Sequence, residues 1–377
     1  MFGIRRLDFV ISNHSVLPKL FTKKFLGIDI GTSSIRIAEV EKSGQALSLS
    51  NFGQIDLDQI DNGMPKPTGG RAVAIFSADE VAEMIQAVLV GAKIKTRQCA
   101  FSIPDFSTFF TSFYLPPMTK KELSKAVMFE ARQHIPLPIE SVTIDWQLVG
   151  GGTDPSQRME VTVTAIPNEI IAQYREIALK AKLEIILMEA EMFGLVRALV
   201  PKEEMRPICL IDVGTQSTVC SLIEKHILRY SHSFDRGGKY LSDELSSRLP
   251  VNREMARNIR ESYGLRVISM VDPEIREKIK VILKESLMPI FKEIEMMFSD
   301  YRRASNSDVA KIILSGGVMA VPEIEKQFAD YFKIEIVTAD PFAGIDCHPE
   351  LIMNAKEVGL TYSVALGMAE RGSDYSK

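Results

Sequence analysis

At 377 residues, 46% of them hydrophobic and 25% charged, the chain is too long for one ordinary core and is expected to fold as two or more domains. Its net charge of -4 offers no excess of Lys and Arg to neutralise a nucleic-acid backbone, so nucleic acid is excluded as a general partner. Any anion held by this chain must be gripped locally.

Residues 1–24 mix Leu, Phe and Val with Arg5, Arg6, Lys19, Lys23 and Lys24. They read as a leader broken by Pro18, or as a weak membrane-surface helix. The alternation over 25–40 predicts a strand, a tight turn and a second strand, and 43–75 continues as short strands interrupted by the exposed connection DNGMPKPTGG. A helix is expected over 78–92, capped by Ser77 and Glu80, and a strand follows to Pro104. Residues 106–185 read as a separate small unit: a strand, a helix opened by Thr119 and Glu122 and stopped by HIPLP, two strands joined at Gly150–Gly152, and a closing helix at 168–182.

The second half is expected to begin near Arg206 with strands at 208–213, 217–223 and 227–234, a Gly237-Gly238 turn, and helices near 238–248 and 252–263. A long helix then carries Ile279, Leu283, Leu287, Ile290, Ile294, Met297 and Tyr301 on one side and is expected to kink at Pro289. A strand at 311–315, the turn Gly316-Gly317, a helix to Tyr331, a strand near 334–337 and a terminal helix near 361–370 complete the chain. The cysteines Cys99, Cys209, Cys220 and Cys347 show neither a C-x-x-C pair nor zinc-ligand spacing, so reduced thiols in a cytoplasm are expected. No apolar run approaches the roughly 20 residues of a bilayer span.

Two stretches repeat. GIDIGTSSIRIAEVEK at 27–42 and LIDVGTQSTVCSLIEK at 210–225 match at one offset, which pairs Asp29 with Asp212, Gly31 with Gly214, Thr32 with Thr215, Ser34 with Ser217, Glu41 with Glu224 and Lys42 with Lys225. Strand composition alone would share Ile and Val but not the Asp-x-Gly-Thr register, so a duplication is the better account. In each copy a strand ends in Asp, a Gly lets the chain turn with N–H groups facing one side, and Thr and Ser hydroxyls add donors. Such a hairpin can cradle a phosphate, and the Asp can hold a hydrated magnesium ion. The paired glycines of KIILSGGVMAVPEIE at 311–325 let a backbone pass close to a base or ribose.

These three elements resemble, in order and spacing, the phosphate-1, phosphate-2 and adenosine motifs of the superfamily of actin, sugar kinases and heat-shock-chaperone ATPases. Within it, LPPMTKKELSKAVMFEARQHIPLPIESVTIDWQLV at 115–149 resembles the small module of the PilM family of type IV pilus assembly, with the FtsA cell-division family next. The resemblance implies an α/β, actin-like fold of two duplicated ribonuclease-H-like lobes with inserted small subdomains. Lobe one is expected at 25–105, with 186–205 and 339–377 at the lobe junction; the module at 106–185; and lobe two at 206–338, with an insertion at about 236–305. It implies ATP and Mg2+ as cofactors. Asp29, Gly31, Thr32, Ser33, Ser34 and Arg36 would form the first phosphate loop and Asp212, Gly214, Thr215 and Gln216 the second, with Asp29 and Asp212 holding Mg2+ through water. Gly237 and Gly238 open the insertion, Arg260 lies on the ribose-facing helix, and Ser315, Gly316 and Gly317 approach the adenosine. Relatives commonly carry Ala-Glu-x-x-Lys on that helix, whereas this chain has Ala256-Arg257-Asn258-Ile259-Arg260; with arginine in place of the ribose-accepting carboxylate, nucleotide is expected to bind weakly or through other contacts.

The family resemblance further implies a cytoplasmic scaffold, peripheral to the inner membrane. It would dock the N-terminal peptide of a PilN-like bitopic membrane protein between lobe one and the module, beside Glu130, Gln133, Ile135 and Pro136. Other pilus-platform proteins, the assembly ATPase and self-association are further partner options, and ATP turnover is expected to be slow or negligible. Two alternatives stay open. An FtsA-like protein would be expected to carry a C-terminal amphipathic helix, which AERGSDYSK does not resemble. A small-molecule kinase needs a general base in a sugar cleft, for which Glu189 and Glu191 are candidates, but 106–185 does not read as a carbohydrate pocket.

Overall fold

The computed structural model describes residues 3–4, 7–10, 23–57, 60–61, 76–151, 157–265, 272–347 and 359–375. Most of the connection at 61–70, and Pro18 in the expected leader, lie outside them. Two compact units emerge: Met1–Leu195 with Gly344–Asn354 and Val364–Lys377, and Val196–Ala343 with Ala355–Ser363.

In the first unit, β1 (Lys23–Ile30), β2 (Ser34–Ser43) and β3 (Ala46–Asp56) form an antiparallel meander. Helix α1 (Ala78–Gly91) follows, held at its start by a reciprocal cap in which Ser77 N–H donates to Glu80 Oε2 at 2.7 Å. Strand β4 (Gln98–Ile103) then adds parallel to β1. The inserted module comprises β5 (Phe109–Leu115), α2 (Lys120–His134), β6 (Val142–Gly150) and β7 (Met159–Pro167), with β7 central in a three-stranded sheet. One sheet face, with Val161, Val163 and Ala165, packs against Leu123, Val127 and Ala131 of α2, as the period-2 and period-3.6 patterns require. The opposite face carries Tyr114 and Gln147, which are exposed, and Thr162 and Thr164, which are half-buried.

The helix expected to close the module does something else. In α3 (Asn168–Lys180), Tyr174, Ile177 and Ala178, with Ala181 just beyond, pack with Val81, Ile85, Val88 and Phe101 in the first-lobe core. The module therefore ends at Pro167, because this apolar stripe is buried against α1 rather than against the small sheet. Strand β8 (Glu184–Ala190) adds parallel to β4, giving the order β8-β4-β1-β2-β3. The expected leader also contributes: Leu7–Val10 pairs antiparallel with residues 52–55 of β3, where edge N–H and C=O groups are open to pairing. Helix α4 (Glu191–Leu199) follows β8.

The second unit repeats the plan. Strands β9 (Ile208–Val213), β10 (Thr218–Glu224) and β11 (Ile227–Phe234) form a meander. Helices α5 (Gly238–Arg248), α6 (Arg253–Ser262) and α7 (Pro273–Ser305) cover it before β12 (Lys311–Ser315), α8 (Ile324–Phe332) and β13 (Glu335–Thr338). The order β13-β12-β9-β10-β11, with β12 parallel to β9 and β13 parallel to β12, matches the first sheet strand for strand. All seven residues of the expected α7 stripe are buried. At Pro289, where a kink was expected, α7 continues as one helix.

The second unit starts at Val196 rather than near 206 because 202–206 is tied to its sheet. His226 Nε2 bonds to the Lys202 carbonyl at 2.9 Å, and Arg206 bridges Glu204 at 2.7 Å and Glu335 at 3.0 Å, with Lys311 3.4 Å from Glu335. The Arg206 hydrogen bonds outweigh desolvation and hold the Glu204 carboxyl down at about 2. A carboxyl depressed on folding stabilises above its unfolded pKa and loses that contribution as pH falls through the folded one. Glu204→Gln is therefore expected to cost about 1 kcal/mol at neutral pH after solvent screening. The gap from the parent should close between about pH 5 and pH 2, read by urea denaturation across that range; a gap independent of pH would refute the assignment.

The terminal helix α9 (Ser363–Asp374) lies on the first-unit sheet at glycines. A Cβ on Gly27 of β1 would sit 1.8 Å from the Ala365 carbonyl oxygen, and one on Gly367 would sit 2.0 Å from the Gly194 oxygen of α4.

Candidate functional site

Both meanders make their first turn in the same way. Gly31 N–H donates to the Ser34 carbonyl at 3.0 Å, and Gly214 N–H donates to the Ser217 carbonyl at 2.9 Å. A Cβ on either glycine would lie 3.2 Å from the carbonyl it bonds. The tips, Thr32 and Ser33 in one copy and Thr215 and Gln216 in the other, are half-buried.

The surroundings differ. Asp29 is buried; the Ser102 hydroxyl donates to its Oδ1 at 2.8 Å, and Arg36 Nη1 lies 3.6 Å from Oδ2. Burial pushes the Asp29 carboxyl up, against the charge of Arg36 and the Ser102 hydrogen bond. The Ser34 hydroxyl and the Arg36 Nε–H are buried and make no hydrogen bond with other described residues. A hydroxyl and a guanidinium N–H beside a tight glycine turn are a donor set that suits an anion. Both oxygens of Asp29 already face protein donors, so this carboxylate suits a metal reached through water better than one bound directly. Among the described residues no group of three or more His, Cys, Asp or Glu is arranged to hold a metal ion.

Ser102 was not among the expected residues. Ile28 faces Phe101 in the parallel register of β1 and β4, which sets Ser102 beside Asp29, and only strand pairing reveals it. The second sheet does the same: Asp212 faces Ser315 across β9 and β12. Tyr174 was missed too. Its ring stands edge-on to Phe101 at 5.7 Å, and burial, then the charges of Asp29 and Glu191, push its hydroxyl well above the usual range.

Within the second unit the remaining expected residues converge. Gly238 N–H donates to the Gly214 carbonyl at 2.9 Å and Lys239 N–H to the Thr215 carbonyl at 2.8 Å, so the Gly237-Gly238 turn is clipped onto the hairpin. Gly237 has no room for a side chain: a Cβ would be 2.5 Å from the Gly214 oxygen. Gly316 adopts φ +93 and passes so close to β9 that a Cβ would be 2.4 Å from the Val213 oxygen, while Gly317 has only Thr361 nearby, at 3.6 Å. Arg260 is buried; it donates to the Gly238 carbonyl and pairs with Glu261 at 2.6 Å, so its guanidinium braces the glycine turn. Burial lowers its pKa, and Glu261 opposes that. Arg257 is also paired with Glu261, at 3.0 Å.

The expected partner residues are less of a set. Glu130 bonds to Gln133 and His134, both at 3.4 Å, Pro136 is exposed in the turn, but Ile135 is buried in the module core beside Val142. On the other face of the small sheet, Phe110 meets Phe193 of α4 edge-on at 6.4 Å. Where the chain enters the module, Asp105 N–H donates to Glu191 Oε1 at 3.1 Å and Met192 N–H to Asp105 Oδ1 at 3.3 Å.

No helix among the described residues is long and apolar enough to cross a membrane. The FtsA cell division protein of Streptococcus pneumoniae is 22% identical over 257 residues, a match that spans 64% of this chain and 56% of that protein. A structure of a PilM-PilN type IV pilus biogenesis complex superposes with a TM-score of 0.76 at 21% identity, covering 92% of this chain and 98% of the other. The ethanolamine utilization protein EutJ of Carboxydothermus hydrogenoformans gives a TM-score of 0.52 at 13% identity, covering 92% and 89%. MreB5 of Spiroplasma citri bound to ADP gives 0.51 at 13% identity, covering 92% and 94%. At these identities the likeness is one of fold, and it is the actin-like fold. The model of the type IV pilus assembly protein PilM matches residues 27–373, both duplicated sheets and the module between them, and this chain belongs to that family.

Proposed function

We propose that the chain is a nucleotide-binding scaffold of the type IV pilus inner-membrane platform. It takes ATP with Mg2+ at its glycine hairpins, turns it over slowly, and docks the cytoplasmic N-terminal peptide of a PilN-like membrane protein at the small module. In this reading the protein is cytoplasmic and reaches the inner membrane through that partner. The observation that carries it most is the family match running unbroken across both sheets and the module. The hairpins support the nucleotide part. Each offers glycine turn geometry with hydroxyls at its rim, and the first adds the buried Ser34 and Arg36 donors. When bound, Mg2+ would neutralise phosphate charge, and Asp29 and Asp212 would orient its waters.

The test is a module replacement, and α3 decides its design. Removing 106–185 would strip Tyr174, Ile177 and Ala178 from the first-lobe core and unfold it. Replacing only 109–165 with a short Gly-Ser linker keeps that core, including Ile166, which packs against it. The replaced protein should fold cooperatively, still bind nucleotide, and lose affinity for a synthetic PilN N-terminal peptide by at least about tenfold in fluorescence anisotropy. Unchanged peptide affinity would sink the docking assignment.

A further inference from the structure

We infer that the outward face of α2 is a contact surface for anionic lipid headgroups, so that the small module touches the membrane directly. Helix α2 buries Leu123, Val127 and Ala131 against the small sheet. The helical period then places Lys121, Lys125, Phe129 and Arg132 together on the opposite side, with Met128 at its margin. All five are exposed, and Phe129 keeps 69% of its surface in water, costly for an aromatic ring with no protein neighbour covering it. None of the three cations makes an ion pair or side-chain hydrogen bond with another described residue.

Of the two acidic residues of the same helix, Glu130 lies off this face, and Glu122, at its N-terminal end, caps the helix. Glu122 accepts from Thr119 N–H at 2.9 Å and from its hydroxyl at 2.7 Å, and Glu130 bonds to Gln133 and His134. The face thus presents three unpaired cations against the one carboxylate of Glu122, a positive excess around one protruding ring, on a chain whose net charge is -4. Charge complementarity calls for an anionic occupant, and shape narrows the choice. The outward side of a helix packed on a sheet is convex, which suits a flat surface, whereas an extended peptide needs a groove. Cationic stems flanking an aromatic ring are also what an interfacial helix uses, the cations reaching the headgroups while the ring enters the acyl boundary.

This contact is independent of the peptide-docking proposal, because it asks for lipid alone. Full-length protein is sedimented with vesicles of phosphatidylcholine, or of phosphatidylcholine and phosphatidylglycerol in equal parts. The protein should sediment with the anionic vesicles only, and added salt should release it. Reversing Lys121, Lys125 and Arg132 to Glu should weaken binding by about fivefold per cation, and Phe129→Ser should weaken it while leaving the salt dependence. These positions are solvent-facing, so circular dichroism should confirm an intact fold. Reversing the exposed Lys278, Lys284 and Lys292 of α7 controls for net charge and should change nothing. The proposal is overturned if the wild type ignores anionic vesicles, or if the α2 and α7 reversals weaken binding equally. It is also overturned, in favour of an acidic protein partner, if the α2 reversal abolishes capture of a partner's cytoplasmic segment by a protein that never binds vesicles.

Discussion

Gly27→Ala is expected to destabilise the first unit by about 3 kcal/mol or more, and Gly27→Val to leave it unfolded. Gly27 lies on β1, between β4 and β2, so the strand has hydrogen-bonded neighbours on both sides and nowhere to move. Above it, the backbone of α9 comes so near that an added Cβ would meet the Ala365 oxygen at 1.8 Å and the Ala369 nitrogen at 2.5 Å. Both obstacles are main-chain atoms, which no side-chain rotation can relieve. The helix itself is seated a second time where Gly367 meets Gly194, so it cannot lift without losing that contact as well. Gly44→Ala is the control: φ there is +64, but nothing stands within 4 Å, so only the backbone cost of about 1 kcal/mol applies. Urea denaturation of the two variants decides. Equal losses would mean that the α9 seat is softer than its geometry implies.

Gly237→Ala should reduce affinity for Mg-ATP by at least about tenfold, equivalent to 1.4 kcal/mol. The added methyl would stand 2.5 Å from the Gly214 oxygen and 2.8 Å from the Thr215 oxygen. It would push apart the two backbone bonds that clip residues 238 and 239 onto the second hairpin. Stability should fall too, by about 2 kcal/mol, so affinity must be measured well below the melting temperature, by titration with a fluorescent ATP analogue. Gly344→Ala, where φ is +82 but space is open, separates a general loss of stability from a loss at the hairpin. Full affinity in a folded Gly237→Ala protein would remove the second hairpin from the nucleotide site.

The parts of this fold that were legible from the chain are those written locally. Both caps, Ser77 with Glu80 and Thr119 with Glu122, bind as their three-residue spacing predicts. The α7 stripe is buried throughout, and the repeated Asp-x-Gly-Thr stretches form the same turn. Where the expectations missed, distant packing decided. The face of α3 at Tyr174, Ile177 and Ala178 suits any apolar surface, and its period carries no hint that the surface belongs to α1. Ile135 sits in a turn motif that looks exposed, yet the module core absorbs it. Arg260 reads as a ligand-facing cation, but the absence of a side chain at Gly238 opens the space into which its guanidinium folds. Ser102 is an unremarkable strand serine until the β1–β4 register puts it against Asp29.

That serine bears on the history of the chain. Ser102 stands 73 positions after Asp29, and its structural counterpart Ser315 stands 103 positions after Asp212, so the two halves fall out of step by thirty residues between hairpin and parallel strand. A fixed offset therefore finds the ancestral half only over its first two strands. The Asp–Ser pair in both sheets, on the same strand order, extends the internal repeat beyond the hairpins to the parallel strand, across connections of unequal length. Divergence shows beside the pair: the position that supplies Arg36 in one copy holds Val219 in the other. The copies have been free to specialise, and grafting Arg at 219 would ask how far the younger differences, rather than the inherited turn, set what each hairpin holds.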